Sequence, residues 1–156
     1  MSETSQEIYS LIVPMRGKTM LIPNKALAEI APYIDSEPPP EDRKPWHIGY
    51  LNWHGSRLPV ISYEHIYDEN FPALDRRLKM VAIINTQLGL KDTPYFGIAV
   101  KGIPRLGMVT KDSIKHRNPD NVDTLSDSIK ADVLFNNREM LIPDVKVIEK
   151  MIKEQL

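Results

Sequence analysis

Cysteine is absent from all 156 residues. That excludes disulfides, thiol nucleophiles and cysteine-type zinc sites together. A charge excess is absent too, since 20 basic residues face 21 acidic ones; a dedicated nucleic-acid binder usually carries a basic surplus. No apolar run approaches the roughly 20 residues that cross a bilayer as a helix. The opening Met1-Ser2-Glu3-Thr4-Ser5-Gln6-Glu7 has neither the basic nor the apolar region of a secretory signal. The expected location is therefore cytoplasmic, with no direct membrane insertion. Also missing are G-x-S-x-G, G-x-x-x-x-G-K-[ST], H-E-x-x-H and G-x-G-x-x-G. The histidines, His47, His54, His65 and His116, never pair at i,i+4, so no metal, cofactor or catalytic residue is expected.

What is present is enough apolar material for a core: 42% hydrophobic residues against 26% charged, which rules against a disordered chain. The stretch Trp46 to Tyr63, W-H-I-G-Y-L-N-W-H-G-S-R-L-P-V-I-S-Y, reads as strand, tight turn, strand. Gly55 is free to take the positive φ that a turn at His54-Gly55-Ser56 requires. The tip then exposes His54, Ser56 and Arg57 on a rigid support. By alternation Leu51 and Trp53 share one face and Tyr50, Asn52 and His54 the other. The first pair is expected inside, with Asn52 and His54 outside.

Around that hairpin the chain offers about ten short strands broken by Gly and Pro, which points to all-β barrels rather than alternating β and α. Strands are expected over Ile8–Met15, Lys18–Ile22, Leu78–Asn85, Tyr95–Val100, Leu106–Val109, Ile129–Phe135 and Arg138–Ile142. Asn24 is positioned to cap a short helical turn through Ala26, Leu27 and Ile30. A second short turn fits Tyr63–Tyr67. The proline-rich stretch Ser36–Pro45 reads as a stiff connector. Asn136-Asn137 has the composition of a two-residue type I′ turn. Asp144 caps a final helix over 144–155, with Glu149 and Lys153 as a supporting i,i+4 pair. Gly97 and Gly107 fit barrel bends. Met20-Leu21-Ile22-Pro23-Asn24 recurs as Met140-Leu141-Ile142-Pro143-Asp144, pointing to two similar β-units.

Candidate chemistry is sparse. Asp35, Glu37, Glu41 and Asp42 cluster in the proline stretch, where a solvated loop is the simpler reading than paired acid–base groups. Lys101, Arg105, Lys111, Lys115 and Arg117 face only Asp112 locally, which suits a charged barrel surface or a site for an acidic partner. Asp120, Asp123 and Asp127 follow. An enzyme using His54 as base and Glu29 as orienter would lack a nucleophile, cofactor loop or metal cluster. A small-barrel module for a peptide or oligonucleotide is the alternative to a pure adaptor.

The hairpin I-G-Y-L-N-W-H-G-S-R-L-P-V-I-S-Y resembles the signature of chemotaxis coupling proteins, the CheW family, in which an Asn-x-Arg-Gly turn leads to Pro-Val-Ile-Asp. Ile8 to Pro23 is similar to the family's opening hairpin, Leu27–Ile30 to its Val-x-Glu-Ile segment, Tyr95–Val109 to its Gly-rich strand pair, and Met140–Met151 to its closing strand and helix. L-I-P-N-K-A-L-A-E-I, L-P-V-I-S-Y-E and K-G-I-P-R-L are closer still to ChpC-type accessory couplers of pilus and twitching systems. The resemblance implies an all-β CheW-like fold: two five-stranded SH3-like β-barrels packed together in a single domain over 1–156. Residues 1–7 would be flexible and the two intertwined subdomains roughly 18–77 and 78–142, followed by the helix. It implies a non-catalytic adaptor between the cytoplasmic tip of methyl-accepting chemoreceptors and the regulatory domain of a CheA-type histidine kinase. Partner-binding residues would be Leu27, Glu29, Gly49, Tyr50, Asn52, His54, Gly55 and Arg57. In the family the glutamate matched by Glu29 pairs with the turn arginine, here His54. Ser62 and Lys101 stand where the family has aspartates.

Overall fold

The computed structural model describes residues 7–33, 37–38, 41, 44–68, 70–72, 80–90, 93–116 and 127–155. Strands β1 (Glu7–Val13), β2 (Thr19–Pro23) and β3 (Leu27–Pro32) open the chain, with a 3-10 turn over Asn24–Ala26 between the last two. The central hairpin is β4 (His47–Trp53) and β5 (Ser56–Ile61), followed by the short helix α1 (Tyr63–Tyr67). Then come β6 (Met80–Asn85), β7 (Tyr95–Val100), β8 (Arg105–Thr110), β9 (Ile114–His116), β10 (Ile129–Phe135), β11 (Arg138–Pro143) and helix α2 (Val145–Gln155). They form a six-stranded sheet, β8-β1-β2-β11-β10-β9, and a five-stranded sheet, β3-β6-β7-β5-β4.

Both sheets curl into barrels, and the chain itself says why. Laid flat, six strands would hold β8 and β9 about 24 Å apart. Yet β8 ends at Thr110 and β9 starts at Ile114, a gap the chain spans in at most about 15 Å. The Ser113 amide donates to the Thr110 carbonyl at 3.1 Å, which tightens that turn further. Gly107 on β8 lets the strand come close: an added Cβ would stand 3.2 Å from Ile12 Cδ1 and from Phe135 Cε2. In the five-stranded sheet the edges β3 and β4 would lie about 19 Å apart if flat. Instead the Trp53 indole of β4 donates to Glu29 Oε2 of β3 at 2.9 Å.

Strand apolarity follows from having three cores. Leu21, Ala131, Val133, Phe135 and Met140 fill the six-stranded barrel. Ala31, Leu51, Leu58, Val60, Val81 and Ile83 fill the five-stranded one. A larger cluster between them takes Leu11, Val13 and Ile22 from one barrel and Ala82, Ile84, Phe96 and Ile98 from the other, with Ile148 and Ile152 of α2. A strand such as β6 therefore buries Val81 and Ile83 on one face and Ala82 and Ile84 on the other. That two-sided burial produces its unbroken apolar run.

Several expectations change. Leu27–Ile30 is strand, not helix: the helical turn stops after Ala26, and Leu27 to Pro32 ladder with β6. Strand β9 was hidden within the basic stretch and makes one barrel six-stranded. The partition 18–77 and 78–142 meets a different connectivity. Strands β3 to β7 all belong to the five-stranded sheet, and in chain order they fall between β2 and β8 of the other. The recurrent Met-Leu-Ile-Pro segments do not mark two separate units. They are β2 and β11, parallel neighbours in one sheet, with Met140 opposite Thr19. Glu149 is fully buried. Rather than facing Lys153, its carboxylate accepts the Gln87 and Leu88 amides, each at 2.8 Å, and ties α2 to the β6–β7 loop. Residues 1–6 of the expected flexible start lie outside the described residues, and Glu7 already opens β1. The Asn136-Asn137 turn holds, with φ of 50° and 67°, and Asp144 caps α2 through Oδ1 and the Val147 amide at 3.2 Å.

Candidate protein-docking surfaces

The hairpin tip turns on two left-handed residues, His54 at φ 48° and Gly55 at φ 79°. That is the geometry of a type I′ turn, and nothing lies within 4 Å of a Cβ added at Gly55. The tip sits on the seam where β4 meets β3. Glu29 serves two neighbours there: Oε2 accepts from Trp53 Nε1 at 2.9 Å, and Oε1 lies 3.9 Å from His54 Nε2. Trp53 is held edge-on by His54 at 4.5 Å and by Tyr95 at 4.9 Å between ring centroids. The side chains of His54 and Glu29 remain 69% and 48% exposed, so the pair is a surface feature.

One strand over, Arg57 lies flat on Tyr50, its guanidinium carbon 3.7 Å from the ring centroid. Its Nε donates to Glu37 Oε2 at 2.6 Å. Glu37 also exchanges backbone hydrogen bonds with Tyr50 at 2.9 and 3.0 Å. This strap covers the open edge of β4, an edge that would otherwise be available to other strands.

The eight residues expected to bind partners thus divide. Glu29, Asn52, His54, Gly55 and Arg57 share the exposed tip. Tyr50 is only 6% exposed because Arg57 and the strap cover it, which corrects its expected place among surface anchors. Gly49 is buried as well. A Cβ there would meet the Glu37 carbonyl oxygen at 2.4 Å and Tyr33 Oη at 2.6 Å, so this glycine seats the strap. Leu27, half-buried at the start of β3, packs against the shared core. Sequence reading had Leu51 inside, which is observed at 2% exposure. It missed that Trp53 is the hydrogen-bond partner of Glu29, a contact across 24 positions.

It also missed an apolar strip on the six-stranded barrel, because the stretch from Lys101 was read by its charges. Tyr9, Leu106 and Met108 are exposed at 53%, 63% and 42%, with Ile103 beside them. Register puts Tyr9 opposite Met108 and buried Leu11 opposite Leu106, so the strip continues the shared core outward. Apolar surface of this kind marks interaction sites. Lys101, Arg105, Lys111 and Lys115 are exposed nearby; Arg117, Asp120 and Asp123 lie outside the described residues, as do Asp35 and Asp42.

A Ser–His–Glu grouping exists elsewhere. Ser62 Oγ is 2.6 Å from His65 Nδ1 and 3.4 Å from Glu64 Oε1. Ser62 is wholly buried, so the grouping anchors α1 and presents no nucleophile. Next to it, burial pushes the Tyr63 phenol well above its usual range, and its hydroxyl donates to the Ser128 carbonyl at 2.9 Å. Among the described residues no three His, Asp or Glu side chains are grouped to hold a metal. No described helix is long and apolar enough to cross a membrane.

Residues 10–152 match the model of the CheW-like domain family. No curated protein matches the chain significantly. Among solved structures the chain is similar to the scaffolding protein TtCheW from Thermoanaerobacter tengcongensis, with a TM-score of 0.69 and 12% identity over 90% of this chain and 86% of that one. At that identity the likeness concerns the fold.

Proposed function

The chain belongs to the CheW-like domain family, and from that premise we propose that it is a non-catalytic adaptor joining chemoreceptors to a CheA-type histidine kinase. Its place is cytoplasmic, at receptor arrays, in the ChpC-type role of a twitching and type IV pilus system. The carrying observation is that two exposed surfaces stand on two barrels that share one core: the Glu29–Trp53–His54 tip on one and the Tyr9–Leu106–Met108 strip on the other. An adaptor needs two surfaces on one rigid body, and a standard contact buries about 1,600 Å² in total. Aromatic, apolar and arginine side chains at each supply the anchors on which such contacts depend.

The test is co-sedimentation of the purified chain with receptor cytoplasmic fragments and kinase. Gly55→Arg adds bulk and charge where there is open space, so its circular dichroism should stay native while it abolishes pelleting with receptor or kinase. A folded Gly55→Arg protein that pellets with both partners as before would remove the tip from the interface. A Leu106→Asp, Met108→Asp protein that does the same would remove the strip.

A further inference from the structure

The mouth of the six-stranded barrel carries two arginines on positions that face inward. Arg105 is the register partner of Ile12, and Arg138 is the partner of Phe135. Residues directly opposite in an antiparallel pair share a face. Phe135 and Met140 belong to the interior cluster, against which Ile12 packs. Both guanidinium-bearing chains therefore start from the lumenal face, at the end of the barrel where the Asn136-Asn137 turn lies. Between them is a cleft of about 450 Å³ with Ile12, Phe135 and Met140 among its walls. It adjoins a second hollow of about 310 Å³ that reaches Pro14 and Thr19. None of the residues lining either hollow is acidic. Among the described residues neither arginine makes an ion pair, whereas Lys18 and Arg57 do.

We infer that this mouth is a recognition site for an acidic peptide segment of a partner protein, separate from the hairpin tip. Two unpaired guanidinium forks suit carboxylates, which they bind with paired, charge-assisted hydrogen bonds. The apolar walls suit an aliphatic or aromatic side chain next to those carboxylates. A bare inorganic anion would use the arginines and leave the apolar walls wet. The volume holds two or three side chains of a peptide, at the small end of ordinary ligand clefts. The site uses no residue of the tip, and it shares one wall residue, Leu106, with the exposed strip.

The probe is a fluorescein-labelled peptide, Asp-Glu-Leu-Asp-Phe-Glu, titrated into the whole chain by fluorescence anisotropy. Amide shifts in a 15N-labelled sample locate the contact. We expect saturable binding that weakens with salt, with shifts at Ile12, Thr19 and Met140. The Arg105→Gln, Arg138→Gln double variant should bind about tenfold or more weakly, the change expected when a charge-assisted contact is lost. Gly55→Arg should bind the peptide as the parent does. The site is overturned by equal affinity for a peptide with lysines in the acidic positions, by an unchanged affinity in the folded double variant, or by shifts confined to the tip. It is overturned equally if inorganic phosphate at the same concentration displaces the peptide fully, or if no saturable binding appears. Should the double variant not fold, the shift map and salt response of the parent chain decide.

Discussion

The two barrels close in different ways. In the six-stranded barrel the edge strands β8 and β9 are consecutive in the chain, so a three-residue turn over Lys111–Ser113 ties them covalently. In the five-stranded barrel the edges β3 and β4 are consecutive too, but the proline-rich stretch between Pro32 and His47 is too long to act as a tight tie. Its seam is fastened by side chains, Glu29 to Trp53 and His54, and the outer edge of β4 is covered by the Glu37 strap under Arg57. One seam is thus held by connectivity, and the other by exposed chemistry that a partner can reach. If the proposed recognition residues are those on this seam, they answer to two demands, closure of the barrel and contact with a partner.

The largest effect on that contrast should come from Gly49→Val. A side chain there runs into the Glu37 carbonyl oxygen and Tyr33 Oη, and backbone oxygen cannot swing aside as a side chain does. The strap must lift, at a cost of about 3 kcal/mol, read as a lower urea midpoint. Gly55→Ala is the control: it meets nothing within 4 Å and carries only the strain of a left-handed backbone, about 1 kcal/mol. If Gly49→Val denatures at the parent midpoint, the strap contributes nothing to closure.

Next in size is the bolt between the barrels. Tyr63 follows β5 of one barrel, and Ser128, whose carbonyl it donates to, precedes β10 of the other. Tyr63→Phe should cost about 1.5 kcal/mol at neutral pH, the upper end for a lost buried hydrogen bond, while the Ser128 carbonyl keeps the Asp144 amide at 2.8 Å. Burial raises the folded phenol above its ordinary value of 10.0. The unfolded chain therefore releases this proton first as pH climbs past that value, and the folded chain keeps it. The stabilisation is complete below that pH and is lost above it. Urea midpoints of the parent should fall between about pH 9.5 and 11, and part of that fall should vanish in Tyr63→Phe. Identical pH profiles in the two proteins would unmake the bolt.

Arg57→Ala removes an exposed ion pair and the guanidinium that covers the buried Tyr50 ring. Surface pairs and cation–π contacts of this sort sum to about 1 kcal/mol. The sharper readout is the Tyr50 amide, bonded to the Glu37 carbonyl, whose hydrogen exchange should accelerate while that of Leu21 in the other barrel stays unchanged. Equal acceleration in both barrels would mean that the two seams are not separately held.

How much of this was readable from the chain follows from the same contrast. Strands came through wherever alternation met a turn residue, as at His54-Gly55 and Asn136-Asn137, since local chemistry alone sets those. Leu27–Ile30 did not, because L-A-E-I also satisfies a helical spacing and only the ladder with β6 decides for strand. Alternation placed Tyr50 with Asn52 but had no means of showing that a strap would cover the one and leave the other bare. Family likeness brought Glu29 and His54 together; the Trp53 indole that completes the cluster is a matter of barrel curvature, which no local pattern carries. Family likeness implied intertwined barrels, but the bounds of the inserted one were unreadable for the same reason, since parallel pairings such as Val60 with Gly97 join residues far apart in the chain.

The smallest effect, His54→Arg, probes the seam most directly. Glu29 holds Trp53 with one oxygen at 2.9 Å and offers the other to His54 at 3.9 Å, beyond a hydrogen bond. Arginine is longer, always charged and carries five donors, so it can reach Oε1 while Oε2 keeps the indole. In this exposed position the gain in stability should be about 0.5 kcal/mol. If the tip is the receptor surface, the same variant should bind receptor fragments more tightly, having restored the charge that the family places there. A seam that tightens without a change in receptor affinity would assign Glu29 to closure alone and move recognition to Asn52 and Arg57.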